Sequence, residues 1–511
     1  MAKPARTIAD IMSSPVVTAE PTELIAEAAA RMNDHEVGSV VVVDGSRPVG
    51  ILTERDLVRL AASTDDVPTK VVELMTPDPF TLGPDVEVVD AWNTLAERGY
   101  RHIPVVDGDE LIGLLSLTDL VGIAQIRSMD HPSLVEAPRG LEGVVVAETA
   151  VGDVRGREGF YHYRQFDAVE LAEKRSLEDV WYLLFHGELP DRARRRAFLD
   201  EVRPLSVIPA AVRPLLPDIA RAGASPGPLD ALRTAVSAVA QALDLRPSMD
   251  LTADERRADA LRICAVTPTL VMALHRLRHG LDPLEPQPDL GYSANYLYLL
   301  TGRVPDPDHA RAVEQYQIST IDHGFNASTF TARVVTSTGA DLGSATVAAI
   351  GALSGPLHGG APSRALDMLD AIGTPGQADE WIRGAVGRGE RIMGFGHRVY
   401  KTDDPRSLML RRVAERLGGD KAAFAVQVEQ TVVDVLAELK PGRHLYANVE
   451  FYAGVVMDKV GLPRTLFTPT FTSSRVIGWT AHILEQAADN RLIRPSAFYA
   501  GPPPPVPVPD A

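Results

Sequence analysis

The chain of 511 residues is 45% hydrophobic, long enough for several cores, and ordinary domain sizes suggest about two to four. Its 51 basic against 68 acidic residues leave a formal charge of −17, which repels nucleic acid and anionic membrane, so an anionic ligand needs arginine or lysine concentrated locally. A single cysteine, Cys264, excludes an internal disulfide, no secretory pattern opens the chain, and Gly, Ser or a charge breaks every apolar run short of the ~20 residues of a membrane span, which fits the cytoplasm.

The first 120 residues contain a repeat. A shift of 63 positions sets Met12 on Met75, Pro21 on Pro84, Asp44 on Asp107, Gly50 on Gly113 and Asp56 on Asp119 without a gap. Each copy reads as a helix (ELIAEAAARMNDHEV; EVVDAWNTLAERGY), a β-branched run (SVVVVD; HIPVVD), a turn, and a second strand entering a helix (VGILTERDL; IGLLSLTDL). Two copies of this α/β unit predict paired small domains related by an approximate two-fold. His35 and His102 stand alone on structural segments and read as satisfied or exposed side chains.

After MDHPSLVEAPRG at 129–140 the chain turns mainly helical. LEDVWYLLFHGELP, LDALRTAVSAVAQALDL, RRADALRICAVTPTLVMALHRLRHG and SANYLYLLTG carry apolar residues at three- and four-residue spacing, divided by Pro and Gly. Cys264 lies on such an apolar face and reads as core. GVVVAETAVGDV at 143–154 reads as a small hairpin, and the closing GPPPPVPVPDA as an extended or disordered polyproline tail. The predicted domains are a tandem module over 1–127 (copies about 7–63 and 70–125), a linker over 128–139, a helical domain over 140–501 and the tail over 502–511.

Residues 7–125 resemble a tandem pair of CBS domains, a module that binds adenine nucleotides. In that family the pattern Gly, apolar, x, Ser/Thr, x, x, Asp lines the ligand cleft; the resemblance therefore implies nucleotide contacts at Thr53, Asp56, Ser116 and Asp119, with AMP, ADP or ATP as effector. A carboxylate at a helix start can accept from ribose hydroxyls, and a hydroxyl beside exposed helix N–H groups suits phosphate. The same residues also make ordinary helix caps, which would leave the pair structural or oligomerising.

From Gly140 to Gly501 the chain resembles citrate synthases, in GLEGVVVAET, FHGELP, DHGFNASTF (322–330), GPLHGG (355–360), GFGHRVYKTDDPR (394–406), NVEFYAGVV (448–456) and TPTFTSSRVIGWTAHILEQAADNRLIRPSAFYAGP. The resemblance implies a mainly α fold of large and small domains closing over the substrates, a homodimer with shared sites, and no cofactor beyond the co-substrate acetyl-CoA. 2-Methylcitrate synthases, which use propionyl-CoA, share these motifs. Condensing an acetyl thioester with oxaloacetate requires removing a weakly acidic methyl proton, stabilising the enolate and polarising a ketone. The resemblance gives His358 the thioester oxygen and His397 the ketone. His323 and Asn326 seat the keto acid, and Arg406, Arg475 and Arg494 clamp its carboxylates, with Arg494 reaching in from the partner. Planar, permanently charged guanidinium suits that clamp. Arg398 and Lys401 are the implied contacts for coenzyme A phosphates. The histidines lack the close spacing of a metal motif.

Two positions depart from the family. Glu450 stands where Asp serves as the base; it is still a carboxylate of suitable basicity, but longer by one methylene, and a displacement of about 1 Å can cost ~100-fold. Pro362 stands where Asn is common, removing an amide and a backbone donor near His358. The two changes read as a variant active site, with a non-catalytic adenylate sensor as the competing class. Arg406, following Asp404 and Pro405, has a surface-turn ion pair as its alternative role, and Arg491 reads as a solvated neighbour of Arg494.

Overall fold

The β-branched runs of the repeat pair as antiparallel strands in the computed structural model, which describes residues 7–35, 37–61, 68–98, 100–116, 137–141, 143–222, 228–355, 357–358, 362–397, 399–400, 402–440, 445–499 and 501. The chain divides into two compact units, Met1–Ala147 with Ser496–Ala511, and Glu148–Pro495.

In the first unit the order is β1 (Thr18–Ala19), α1 (Ile25–Asp34), β2 (Ser39–Asp44), β3 (Arg47–Thr53), α2 (Glu54–Ala61), α3 (Val71–Leu74), β4 (Thr76–Pro77), α4 (Val88–Arg98), β5 (His102–Asp107) and β6 (Glu110–Ser116). The hairpins β2–β3 and β5–β6 repeat even in their irregularity, with a register shift at Val42/Val43 and again at Val105/Val106. The copies exchange their leading segments. Val71 and Met75 pack with Ala28, Val40 and Leu52, whereas Ile8 and Met12 pack with Leu95, Ile103 and Leu115. β4 pairs with β3, and Ser13 bridges Leu114. A Cβ on Gly50 would overlap Met75 Sδ, and one on Gly113 would overlap Met12 Sδ. The repeated glycines are the seats of the exchanged methionines. The helix that should follow β6 lies outside the described residues.

The second unit opens with a three-stranded meander of β7 (Gly152–Arg155), β8 (Phe160–Tyr163) and β9 (Phe166–Asp167). The expected hairpin over 143–154 is absent: Val144–Val146 lie outside any strand and are exposed, and only the last three residues enter β7. Helices follow in the order α5 (Ala168–Lys174), α6 (Leu177–His186), α7 (Arg192–Val202), α8 (Leu216–Arg221), α9 (Pro228–Ala242), α10 (Ala253–Arg278), α11 (Tyr292–Thr301), α12 (Pro307–Thr320), α13 (Ala327–Ser337), α14 (Leu342–Leu353), α15 (Pro362–Ile372), α16 (Ala378–Gly387), α17 (Pro405–Leu417), α18 (Asp420–Leu439), α19 (Val449–Lys459) and α20 (Phe467–Ala488). Polar caps start many of them. Ser176, Thr252, Asp306, Asn326, Asp341, Asp404 and Asn448 each accept a backbone N–H from the first turn.

By length and composition α10 is the one helix among the described residues that could cross a membrane, although charged residues still bound its apolar run. It contains an 18-residue window of mean hydropathy 1.3, but 83% of that window is buried among other helices, so it is a core helix. It also runs through Pro268 instead of breaking there. Proline deprives the Cys264 carbonyl of its helical donor; Tyr292 Oη lies 3.4 Å away, while donating at 2.6 Å to the Ser473 carbonyl. Cys264 is fully buried, and desolvation pushes its thiol up to about 12.

Candidate active site

Five motifs distant in sequence converge in the second unit. His323 sits in the turn between α12 and α13, His397 in the loop before α17, and their rings meet edge-on at 5.6 Å. Tyr400 Oη lies 3.0 Å from His323 Nε2, and its ring 4.7 Å from that of His397. Desolvation, then the charges of Arg406 and Arg475, push His323 well below its ordinary value, so it is neutral. His397 Nδ1 accepts the Val399 and Tyr400 N–H groups, both at 3.0 Å, which leaves the ring proton on Nε2. That Nε2–H converges with Arg406 Nη2 at 3.3 Å. Two donors so placed suit one shared oxygen acceptor.

Arg406 is not part of a surface turn. It is 3% exposed and Asp404 1%, and its Nε and Nη2 donate to the two carboxylate oxygens at 3.0 and 2.8 Å. Asp404 also caps α17 through the Arg406 N–H and accepts the Val449 N–H at 3.0 Å. One carboxylate thus joins the arginine to the helix that carries Glu450. Asn448 binds the His397 loop to the same helix, donating from Nδ2 to the Gly396 carbonyl at 2.9 Å and from its N–H to the Gly394 carbonyl at 2.8 Å. Burial raises the Glu450 carboxyl above its ordinary value; Arg406 and Arg364 oppose the rise and Asp404 adds to it. A raised carboxyl is a stronger base.

Arg475, on α20, is buried over the Phe471 ring at 4.5 Å and donates from Nε to the Thr320 carbonyl at 2.7 Å. Desolvation weakens its hold on the proton, and Asp322 is the main opposing charge. His358 receives at Nε2 the Ser328 backbone N–H (3.2 Å), with Ser328 Oγ at 2.7 Å. A backbone N–H can only donate, so the His358 proton resides on Nδ1. Trp479 Nε1 donates to that serine oxygen at 3.0 Å. Desolvation and Arg475 push His358 down to about 4, and the N-terminus of α13 disfavours imidazolium as well. The ring is a neutral donor.

Asn326 is committed locally. Its Oδ1 caps α13 at Thr329 N–H (3.1 Å) and meets Ser328 Oγ (2.8 Å), while Nδ2 donates to the Gly324 carbonyl. Pro362 begins α15, where a missing N–H costs nothing, so the concern over a lost donor there does not apply. Arg494 is exposed beyond α20 and is not among the residues that these hydrogen bonds join. Arg398, Lys401 and Asp119 lie outside the described residues. In the first unit Thr53 N–H and Oγ1 donate to Asp56 Oδ2 at 3.0 and 2.6 Å, the geometry of a helix cap, and Ser116 ends β6.

The family model for the citrate synthase C-terminal domain matches residues 140–496. The chain belongs to the citrate synthase family. CBS domains match residues 8–63 and 71–125, so a tandem CBS pair precedes the synthase region. A citrate synthase of Mycolicibacterium smegmatis is 42% identical over 376 residues, 72% of this chain and 97% of that protein. A 2-methylcitrate synthase of Mycobacterium tuberculosis is 40% identical over 386 residues, 74% of this chain and 95% of that protein. Among solved structures, citrate synthase from Pyrobaculum aerophilum aligns with a TM-score of 0.66 at 36% identity, covering 72% of this chain and 94% of that one. The chain is therefore an acyltransferase of this family. Sequence reasoning missed Ser328, Trp479, Tyr400 and Arg364, and it read Asp404 only as the partner of Arg406 in a surface ion pair, which the structure buries.

Proposed function

We propose that the chain condenses acetyl-CoA with oxaloacetate and water to citrate and free CoA. Glu450 takes the methyl proton, His358 Nδ1–H donates to the thioester oxygen as the enolate forms, and His397 Nε2–H with Arg406 polarises the ketone. Arg406 and Arg475 bind the dicarboxylate beside His323, and Asn326, its amide engaged in capping α13, helps seat it by holding that turn. Arg494 reaches in from the partner of a homodimer, and Arg398 and Lys401 meet the coenzyme A phosphates. The observation that carries this reading is one cluster combining a neutral donor histidine, two buried arginines and a carboxyl raised in basicity.

A second reading, 2-methylcitrate synthesis from propionyl-CoA, is favoured by the 40% identity to the enzyme of that name. One methyl in an apolar pocket changes binding by only about 1–3 kcal/mol. The CBS pair binds an adenine nucleotide through Thr53, Asp56, Ser116 and Asp119 and adjusts turnover, a coupling for which ~1–3 kcal/mol suffices. Oxaloacetate-dependent CoA release, run with acetyl-CoA and propionyl-CoA and with AMP, ADP or ATP added, tests all three statements. A propionyl-CoA preference moves the assignment to methylcitrate, and rates unchanged by every nucleotide defeat the effector.

A further inference from the structure

Behind the keto-acid site lies a polar chain that the condensation itself does not use. Arg333 of α13 and His482 of α20 are 4% and 0% exposed, and Asp322, which precedes His323, is 1% exposed. Arg333 Nη1 is 3.1 Å from His482 Nδ1, and His482 Nε2 is 3.2 Å from Asp322 Oδ1. Guanidinium cannot accept a hydrogen bond, so Arg333 donates to Nδ1, the imidazole is neutral, and its proton on Nε2 is given to Asp322. Every direction in the chain is fixed.

The charges at its two ends are balanced separately. Arg333 pairs with Glu485 at 2.7 Å and donates from Nε to Gln486 Oε1 at 3.0 Å. Asp322 accepts the Gly324 N–H on Oδ2 at 3.2 Å and faces Arg475. Burial raises the Asp322 carboxyl, while the hydrogen bond from His482, the charge of Arg475 and the Gly324 N–H lower it. If Arg333 touched Asp322 directly, it would draw off the charge that balances Arg475. A neutral imidazole passes on the geometry without the charge.

We propose that His482 is a positioning residue for oxaloacetate binding: bridging Arg333 and Asp322 as the neutral Nε2–H tautomer, it orients the carboxylate that opposes Arg475 and braces the turn bearing His323. The proposal rests on Arg475 and His323 serving the keto acid.

The test is steady-state kinetics of the full chain with His482→Leu and His482→Gln, alongside Arg475→Leu. A glutamine can accept from Arg333 through its carbonyl oxygen and donate to Asp322 through its amide. The expected result is at least a tenfold rise in the KM for oxaloacetate in His482→Leu, with the KM for the acyl-CoA unchanged, and recovery to within threefold of wild type in His482→Gln. Equal losses in both variants, an unchanged oxaloacetate KM, or acyl-CoA and oxaloacetate KM values rising together would overturn it. Should His482→Leu not fold, ¹⁵N-histidine spectra of the wild-type chain at pH 8 decide: His482 reports the Nε2–H tautomer if the proposal holds, and an Nδ1–H or doubly protonated ring if it is wrong. An unchanged oxaloacetate KM in Arg475→Leu would instead remove the clamp on which the proposal rests.

Discussion

At the scale of single residues, the site depends on which proton each group holds near neutral pH. His358 is useful as a neutral donor, and desolvation beside Arg475 keeps it so at every pH above about 4. As the proposed base Glu450 acts only when ionised, and burial lifts its carboxyl above the ordinary value. The profile of kcat against pH should therefore rise with pH through a single acid limb lying above the usual carboxylate range, with no further limb from His358 between pH 5 and 8. A limb that survives in Glu450→Gln would assign the titration to another group.

At the scale of elements, α20 does the most to build the site. It carries Arg475, Trp479 and His482 on one buried helix, and Gly478 lets that helix approach the end of α12. A Cβ at Gly478 would overlap the backbone carbonyl of Ile321, one residue before Asp322. Backbone cannot swing aside as a flexible side chain can. Gly478→Ala should cost about 1–3 kcal/mol of stability and raise the oxaloacetate KM, since the displaced segment leads into His323. Thermal unfolding and kinetics unchanged from wild type would mean that the two helices can separate at no cost.

What the sequence revealed divides along the same lines. His323, His358 and His397 were legible because each lies in a long motif of glycine and polar residues. The hairpins β2–β3 and β5–β6 were legible from their β-branched runs, down to the 63-residue repeat. Ser328, Trp479 and His482 were not, because their partners lie about 30 to 160 residues away and no local periodicity records such pairing. Asn326 carries a further lesson: a polar residue before an apolar helical run is first a cap, and its amide is already in use. Val144–Val146 misled for a related reason, since β-branched character signals a strand only where a partner strand is at hand.

At the scale of the whole molecule, buried histidines set how stability responds to pH. His275 and His358 are both depressed to about 4, chiefly by desolvation, and His323 is also pushed down. In the unfolded chain such rings bind protons near 6.5, so that form gains protons first as pH falls. Their stabilising effect is complete above about pH 6.5 and is lost progressively toward about 4. The raised carboxyls of Glu178 and Glu450 act in the opposite sense, over a range that starts at the ordinary carboxylate value and extends upward from it. Denaturant unfolding should therefore show lower stability at pH 6.0 than at pH 7.5, and equal midpoints at the two values would contradict this account.

In the proposed reaction Glu450, one methylene longer than the aspartate common in the family, is the working base. Oxaloacetate-dependent CoA release from acetyl-CoA and propionyl-CoA, compared between wild type and Glu450→Gln, tests it most directly. Turnover by wild type is expected, with a fall of about 10²–10⁴ in kcat for the glutamine variant and oxaloacetate binding retained. Wild-type chain with no turnover, regaining activity only as Glu450→Asp, would mean that the fold now serves sensing and not catalysis.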